Sequence, residues 1–537
     1  MDYAGIGTGY TGTTRTFQLN QTNTPPVFHE NLYYYRPVNP FPSRPVITAD
    51  VCVYGATAAG VVAAVALRKR GRSVVIINPS GFVGGMTSGG LSFTDTGIIS
   101  VIGGLSREFY RKCGAHYSNE EEFLFEPHVA ERVFLEWLVE HQVIVYHRQF
   151  VKNTEMKGSR ITRMVCESGL TVEAKAFIDC SYEGDLMARA GVKYTGGRES
   201  NTAYAETING VQVAKSHQFP PTVKVDPYVI PGNPASGTLP GIDPAPLGSP
   251  GSADQRIQAY NFRLCLTQLA KKQRDFRRPT DYKRETYELL RRTIEAGHLQ
   301  FFGKFDPIQN TKVDNNNFGP VSTDLIGGSD AWPEATYAAR EGIFQRHVSW
   351  QSGWYYYLAT EPDVPDSVRL RMAGYGFCMD EFPLTGGWSP QLYVREARRM
   401  TGEAILTENE CKQKKIFRDS IGMGSYNMDS HNCRRFVDAK GSVRNEGDVQ
   451  VGVKPYCVSY RCIVPRTGYC TNIWVPVALS ATHIAYGSIR MEPVFMVLAE
   501  SAAIAVDIAL DSGKPSQAIP YMTLRNRLLT AGQVLQT

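Results

Sequence analysis

ADVCVYGATAAGVVAAVALRKRGRSVVIINP, residues 49–79, reads as strand, tight glycine turn, helix and second strand, the unit that seats the pyrophosphate of a dinucleotide. Val51 to Tyr54 is a short apolar run of the kind a buried parallel strand shows, and Gly55 follows where the chain must turn sharply. Gly60 lets a helix from Ala59 to Arg70 pack on that strand, with Ala58, Ala59, Ala63 and Ala64 keeping the contact thin. Gly71 ends the helix, and Ser73 to Ile77 is the second strand. Backbone N–H groups at the helix start point at an anion, so Gly55, Ala56, Thr57, Ala58, Ala59 and Gly60 form the expected pyrophosphate loop.

Two positions depart from the usual pattern. Thr57 takes the place of the middle glycine of GxGxxG, which is tolerable if its hydroxyl donates to a phosphate. Asn78, followed by Pro79, stands where a carboxylate is expected, and it can hydrogen-bond a ribose hydroxyl only without that charge. The alternative for this segment is a plain βαβ unit with no ligand. A literal GxGxxG at Gly7, Gly9 and Gly12 has no strand before it and no helical period after it, and reads as a flexible tail.

The rest of the chain sets the frame. Its 537 residues suffice for two or more domains, and 42% hydrophobic with 20% charged residues is ordinary globular composition. A net charge of +5 with dispersed basic residues does not indicate nucleic acid. No apolar run is read as reaching membrane-span length and no leader pattern opens the chain, so a soluble protein away from membranes is expected. Eleven cysteines without a CxxC pair fit the reduced thiols of a cytoplasmic protein. No cluster has metal-ligand spacing, and no metal is expected. Oligomeric state is not legible.

Residues 1–47, with Tyr33, Tyr34, Tyr35, Pro37, Pro40, Pro42 and Pro45, read as an arm packed on the surface through its tyrosines. After the opening unit comes a second glycine cluster, GFVGGMTSGG, at residues 81–90, then helical patterns at Gly104–Cys113 and Pro127–His141. Val143 to Ser181 alternates like a small antiparallel meander, closing on Ala176–Asp179, which rejoins the parallel sheet. Residues 216–255 are a Pro- and Gly-rich loop. From 256 to 414 the signal is mostly helical, with runs at Asp281–Ala296, Pro333–Tyr357 and Gln391–Leu406. A last parallel strand, Thr471–Val477, precedes a helix at Pro493–Leu510. Trp350, Trp354 and Tyr357 recur at helical spacing, as a core stripe does.

A second glycine cluster after the second strand, an inserted meander and a late strand and helix belong to FAD-binding domains, and no second glycine motif offers a nicotinamide its own domain. With GATAAG (55–60), GGMTSGGL (84–91), IDCSYEGDLMARAGV (178–192), AYNFRLCLT (259–267), LYVREARRM (392–400), GSYNMDSH (424–431) and ATHIAYGSIRMEPVFMVLAESAA (481–503), the chain resembles the FAD-dependent oxidoreductases of the glutathione-reductase type, the group also labelled "xanthan lyase".

The resemblance implies an α/β fold: a Rossmann-like FAD-binding domain from residues 48–215 and 415–515 with an inserted antiparallel meander, a mainly helical α+β substrate domain at 216–414, and a tail at 516–537. It implies that Gly55, Thr57 and Gly60 hold the pyrophosphate, that Asn78 stands at the adenosine ribose, and that Val145 meets the adenine through its backbone. Gly84, Gly85, Met86, Thr87, Ser88 and Gly89 would line the ribityl chain and flavin ring. Cys180 and Ser181 match cofactor positions after Asp179. Arg490, Met491 and Pro493 would bring the last helix's N-terminus to the flavin. Cys180 is read as a buried small residue rather than a covalent flavin attachment point.

The candidate catalytic residues are His431, His483 and Arg263, each weighed against a purely structural role; Asp429 shares a face with His431 only if that segment is a strand. Arg395 and Arg399, one helical turn apart, read as a solvated or salt-bridged stripe. The expected activity is removal of a hydride from a small organic substrate (alcohol, sugar, amine or other metabolite) to FAD, with electrons passed to oxygen or another acceptor. The alternative is FAD used structurally or in a redox-neutral isomerisation or elimination. On this reading Asn78→Glu leaves FAD binding intact or tightens it.

Overall fold

β1 (Val46–Tyr54), α1 (Ala58–Arg68) and β2 (Val74–Asn78) stand where residues 49–79 put them, in a computed structural model that describes residues 24–40, 45–213 and 219–536. The Gly7–Gly12 glycines and Pro42 lie outside the described residues. β1 and β2 pair in parallel, Val51 opposite Val74 and Tyr54 opposite Ile77. Val51, Val53 and Ile76 join the core that holds α1, while Cys52, Tyr54, Val75 and Ile77 join a second core beneath the sheet. Burial on both faces explains the unbroken apolar runs.

The sheet has seven strands. β3 (Ile144–His147), β2, β1 and β6 (Thr171–Asp179) run parallel. β4 (Val151–Lys157) and β5 (Arg160–Cys166) extend it antiparallel beyond the first half of β6, whose second half pairs in parallel with Ile473–Trp474. Residues 143–181 are therefore not a meander throughout. Ile144–His147 is a parallel strand because its register against Val75–Asn78 places Val145 beside Ile76 in the main core. β1 starts at Val46, so the arm ends earlier than expected. Nor does all of the described part of the arm lie on the surface: Leu32 and Tyr35 are buried, and Tyr34 packs against Phe150 and Trp332.

Residues 216–414 depart furthest from expectation. A five-stranded antiparallel sheet runs in the order Phe305–Pro307, Lys312–Asn315, Leu264–Thr267, Gly376–Cys378, Gln273–Arg274. Its helices are Glu288–Glu295, Tyr337–Thr360 and Asp366–Ala373. Gln391–Leu406 is not helical but an irregular buried strip containing the two-residue strand Arg399–Met400. Its arginines account for this. Arg395 pairs with Asp324 (2.9 Å), Arg398 with Asp185 (2.8 Å) and Glu334 (3.0 Å), and Arg399 with Glu199 (2.7 Å) and Glu396 (3.0 Å). Apart from Glu396, which lies in the strip itself, the partners come from separate segments, and a stretched chain lets each guanidinium reach its own acid. On helix Tyr337–Thr360, Trp354 and Tyr357 are core residues, and the Trp350 and Trp354 N–H groups donate to the Ser322 and Val321 carbonyls.

Helix Glu492–Ser512 packs along α1. At a mean hydropathy of 1.9 it is long and apolar enough to cross a membrane, which corrects the expectation that no apolar run reaches that length; here 94% of that window is buried inside the protein. All eleven cysteines are free.

Arg399→Ala tests the strip. The side chain is fully buried between two carboxylates, and removing one partner of such a pair costs about 3–5 kcal/mol. Chemical denaturation should show a loss of that size.

Candidate functional site

Gly55 and Gly60 are dictated by space. Gly55 has φ +95, and a Cβ there would lie 3.0 Å from the Ser181 nitrogen; at Gly60 it would lie 1.9 Å from the Gly55 carbonyl oxygen. Only hydrogen fits where the helix start presses on the turn. Thr57 caps α1: its hydroxyl accepts from the Gly60 N–H (3.2 Å) and donates to the Cys180 carbonyl (2.9 Å). That proton is therefore not turned toward a phosphate, as expected, but holds α1 to the end of β6. The N–H groups of Ala58 and Ala59, in the first helical turn, have no carbonyl of their own helix to meet and suit an anion.

Asn78 is likewise turned inward. Its Oδ1 accepts from the Ala56 N–H (3.0 Å), and its Nδ2 donates to the Phe82 (2.8 Å) and Ser80 (3.1 Å) carbonyls. The amide needs both an acceptor and a donor end, which a carboxylate lacks. The expectation for Asn78→Glu is thereby reversed. The Gly84 N–H donates to the Ala56 carbonyl (2.7 Å), tying the second glycine cluster to the first.

A cavity of about 870 Å³ runs through these elements, within the range of ligand sites. Gly55, Ala56, Thr57, Asn78, Pro79, Val145, Ser181, Gly85 and Ser88 line it, together with Gln391 and Leu392. Ala58, Ala59, Gly60, Gly84, Met86, Thr87, Gly89 and Cys180 do not face it directly but shape its wall. Cys180 is fully buried, and burial pushes its thiol well above the ordinary range, which suits a filler rather than a nucleophile. The lining fits an extended dinucleotide: a helix N-terminus with free N–H groups, glycines at 55 and 85 whose left-handed backbone (φ +95 and +55) puts bare main chain at the wall, and apolar strand ends.

Arg490, Met491 and Pro493 are buried and off the cavity wall, but the helix they open is bonded to it. Glu492 accepts from the hydroxyls of Thr87 (2.7 Å) and Tyr182 (2.8 Å), and Tyr182 in turn accepts from the Met86 N–H (2.8 Å). One carboxyl thus joins the 84–90 loop, the turn after β6 and helix Glu492–Ser512. Sequence reasoning quoted Tyr182 and Glu492 within motifs but gave neither a role; two polar residues inside strongly apolar, glycine-rich segments were the available signal.

The three catalytic candidates are not among the residues that line the cavity, and Arg263 backs the far end of the 84–90 loop. A Cβ at Gly90 would lie 2.1 Å from the Arg263 carbonyl oxygen. Arg263 is committed to a two-pronged bond with Asp314 (2.8 and 2.6 Å). His483 has both ring nitrogens held, Nδ1 by Glu396 (2.8 Å) and Nε2 by Ser430 (3.0 Å). His431 lies between two carboxylates, Nδ1 3.2 Å from Asp324 and Nε2 3.6 Å from Asp429. Asp429 sits in a strand, Met428–Ser430, so the shared-face geometry is realised. Burial acts to raise Asp429's pKa, but His431 and Arg490 outweigh it and hold it at about 2. Arg490 bonds Asp429 (3.1 Å) and donates to the Tyr393 hydroxyl (2.8 Å), while Asp429 Oδ1 is buried with no hydrogen-bond partner.

Glu126, His128 and Glu381 bring ligand-type atoms within 4.8 Å of one another. The Lys312 ammonium already stands among them, 2.6 Å from Glu126 and 2.7 Å from Glu381, and supplies the positive charge.

Fold and cavity define a mixed α/β protein of Rossmann-like, dinucleotide-binding type. Residues 50–528 match the family model for FAD dependent oxidoreductases, and the chain belongs to that family, with FAD as its cofactor. No curated protein matches it in sequence. Among solved structures it is similar to L-proline dehydrogenase from P. horikoshii (16% identity, 28% of this chain, 58% of that chain, TM-score 0.24). It is similar also to THI4 from Thermovibrio ammonificans (20%, 30%, 71%, 0.23) and to L-amino acid deaminase from Proteus vulgaris (16%, 29%, 55%, 0.23). The match thus spans little more than half of the first and third, and likenesses this slight carry no argument about substrate.

Two outcomes follow from the geometry. A carboxylate at position 78 faces the Ser80 and Phe82 carbonyls with no proton to give, so Asn78→Asp should lower stability by about 1–3 kcal/mol in denaturant titrations, and Asn78→Glu should weaken FAD binding in flavin titrations. Burial pushes Glu492 up to about 7 in spite of its Thr87 and Tyr182 bonds. A folded pKa above the unfolded one means that stability is full below the ordinary glutamate pKa and falls as pH rises toward 7. Between about pH 5 and pH 7 the melting difference between Glu492→Gln and wild type should move in the variant's favour, by up to about 3 kcal/mol. A difference that stays flat with pH would rule out titration of Glu492 in this window.

Proposed function

We propose that this enzyme oxidises a small organic molecule bearing a hydroxyl or amine, and that His431 takes the proton released. Bound FAD supplies the acceptor for the hydride. Asp324 orients the imidazole through Nδ1, leaving Nε2 to accept a proton; the imidazolium then formed is stabilised by Asp324 on one side and Asp429 on the other. With an amine substrate, whose nitrogen carries a second N–H, Asp429 Oδ1 accepts a hydrogen bond from that N–H, and Arg490, itself held by the Tyr393 hydroxyl, keeps Asp429 ionised and in place. The observation that carries this reading is that buried oxygen without a partner, on a carboxylate whose other oxygen lies 3.6 Å from His431 Nε2. Arg263 and His483, wholly engaged with their own partners, act as holding residues.

The cofactor half is taken to be of glutathione-reductase type, built from residues 48–215 and 415–515, with 216–414 on the substrate side and 1–47 and 516–537 flanking, in a cytoplasmic protein. In its favour are the β4–β5 insertion ahead of β6 and the bond from Thr87 to the start of helix Glu492–Ser512. Gly55, Ala58 and Ala59 would receive the pyrophosphate, Val145 the adenine, and Gly85 and Ser88 the ribityl and ring end.

Sugars, amines and aromatic alcohols mixed anaerobically with the purified protein test the reading. A true substrate should bleach the flavin bands, and His431→Asn should slow bleaching by about 10²–10⁴-fold at unchanged flavin content. A substrate turned over with the flavin still oxidised at the end would overturn it in favour of redox-neutral chemistry.

A further inference from the structure

Asn78 spends its amide inside the protein, on Ala56, Ser80 and Phe82, so the position that ordinarily anchors the adenosine ribose is not free to do so. Residues from outside the βαβ unit close that end of the cavity: Tyr33 and Arg36 from the arm, and Arg148 just after β3. The Arg36 and Arg148 guanidinium carbons lie 3.9 and 4.2 Å from the centre of the Tyr33 ring, so the phenol is sandwiched between two cations. Arg148 is itself held in the left-handed region (φ +57), a conformation rare outside glycine that tends to persist where a ligand site requires it. Its guanidinium lies flat on the Ser80–Phe82 turn, since a Cβ at Gly81 would fall 2.5, 2.8 and 3.1 Å from its Nη2, Cζ and Nε.

The arm is pinned rather than draped. The Tyr34 and Tyr35 N–H groups donate to Glu341 (2.7 and 2.9 Å), Gln345 donates to the Leu32 carbonyl (2.8 Å), and the Tyr35 hydroxyl donates to Glu167 (2.7 Å). Helix Tyr337–Thr360, remote in sequence, thus presents Tyr33 to the cavity.

We propose that this arginine–tyrosine–arginine stack is the adenosine clamp of the site, replacing the carboxylate missing at Asn78. The proposal rests on the cavity being the FAD site. It inverts the polarity of recognition. A carboxylate accepts from ribose hydroxyls, whereas guanidinium only donates, so the clamp addresses ribose oxygens and adenine ring nitrogens through its N–H edge. Tyr33 holds both guanidiniums in place, which spares them ordering when the nucleotide arrives. An arginine pair also welcomes a phosphate on the ribose 2′ position, which a carboxylate repels.

The test uses the FAD-loaded full chain diluted into buffer, with release read as the rise of free-flavin fluorescence. Tyr33→Ala and Arg36→Ala should each release FAD roughly tenfold faster than wild type, while Tyr33→Phe, which keeps the ring between the cations, should match wild type. During release, adenosine 2′,5′-bisphosphate should block rebinding more strongly than ADP, and Arg36→Ala should erase that preference, a change that a merely structural role for the arm would not produce. Equal release from wild type and both alanine variants, or a preference for ADP in the wild type, overturns the clamp alone. A wild type that never acquires flavin bands overturns the reading of the cavity and the clamp with it.

Discussion

The 1.9 Å that would separate a Cβ at position 60 from the Gly55 carbonyl oxygen is the constraint on which the rest depends. It requires the first turn of α1 to lie against the strand end with only hydrogen between them, and so aims the helix's free N–H groups into the space beyond β1. The end of β6 closes on the same point, because the Thr57 hydroxyl holds the Cys180 carbonyl. Asn78 then fixes the height of the loop from the other side through Ala56. Four segments meet within one turn of chain, and the cavity is what they leave between them.

Away from this junction, organisation passes from backbone hydrogen bonds to buried ion pairs. Arg263, Arg340, Arg395 and Arg399 are among the largest fully buried side chains, each with its own carboxylate. A buried pair is weak evidence of net stability, but an unpartnered buried charge is very costly, so such pairs exclude alternative arrangements. That explains how Gln391–Leu406 is placed firmly without regular structure. It also explains why the polar group around Asp429 stands out: there Asp429 Oδ1, like the Nε of Arg395 and of Arg490, is buried with no hydrogen-bond partner.

Legibility follows the same division. The βαβ unit, helix Pro127–Glu140 and the late helix were readable because strand burial, proline at a helix start and apolar periodicity are properties of neighbouring residues. Residues 391–406 were misread for the converse reason: arginines four apart look like a helical stripe unless their partners are known, and Glu199 lies 200 residues from Arg399. The five-stranded sheet was missed because its strands are two to four residues long, too short to show a period of two.

The site divides likewise. Glycine positions and the FAD family were present in the sequence, since a glycine that must admit a backbone and a motif that must bind a phosphate tolerate few substitutions. Tertiary structure alone decided that Thr57 and Asn78 turn their polar atoms inward, that His483 is held on both nitrogens while His431 lies between two acids, and that the arm's Tyr33 reaches the cavity. Each of these depends on which hydrogen-bond partner is nearest in space, and the competing partners come from segments tens to hundreds of residues away.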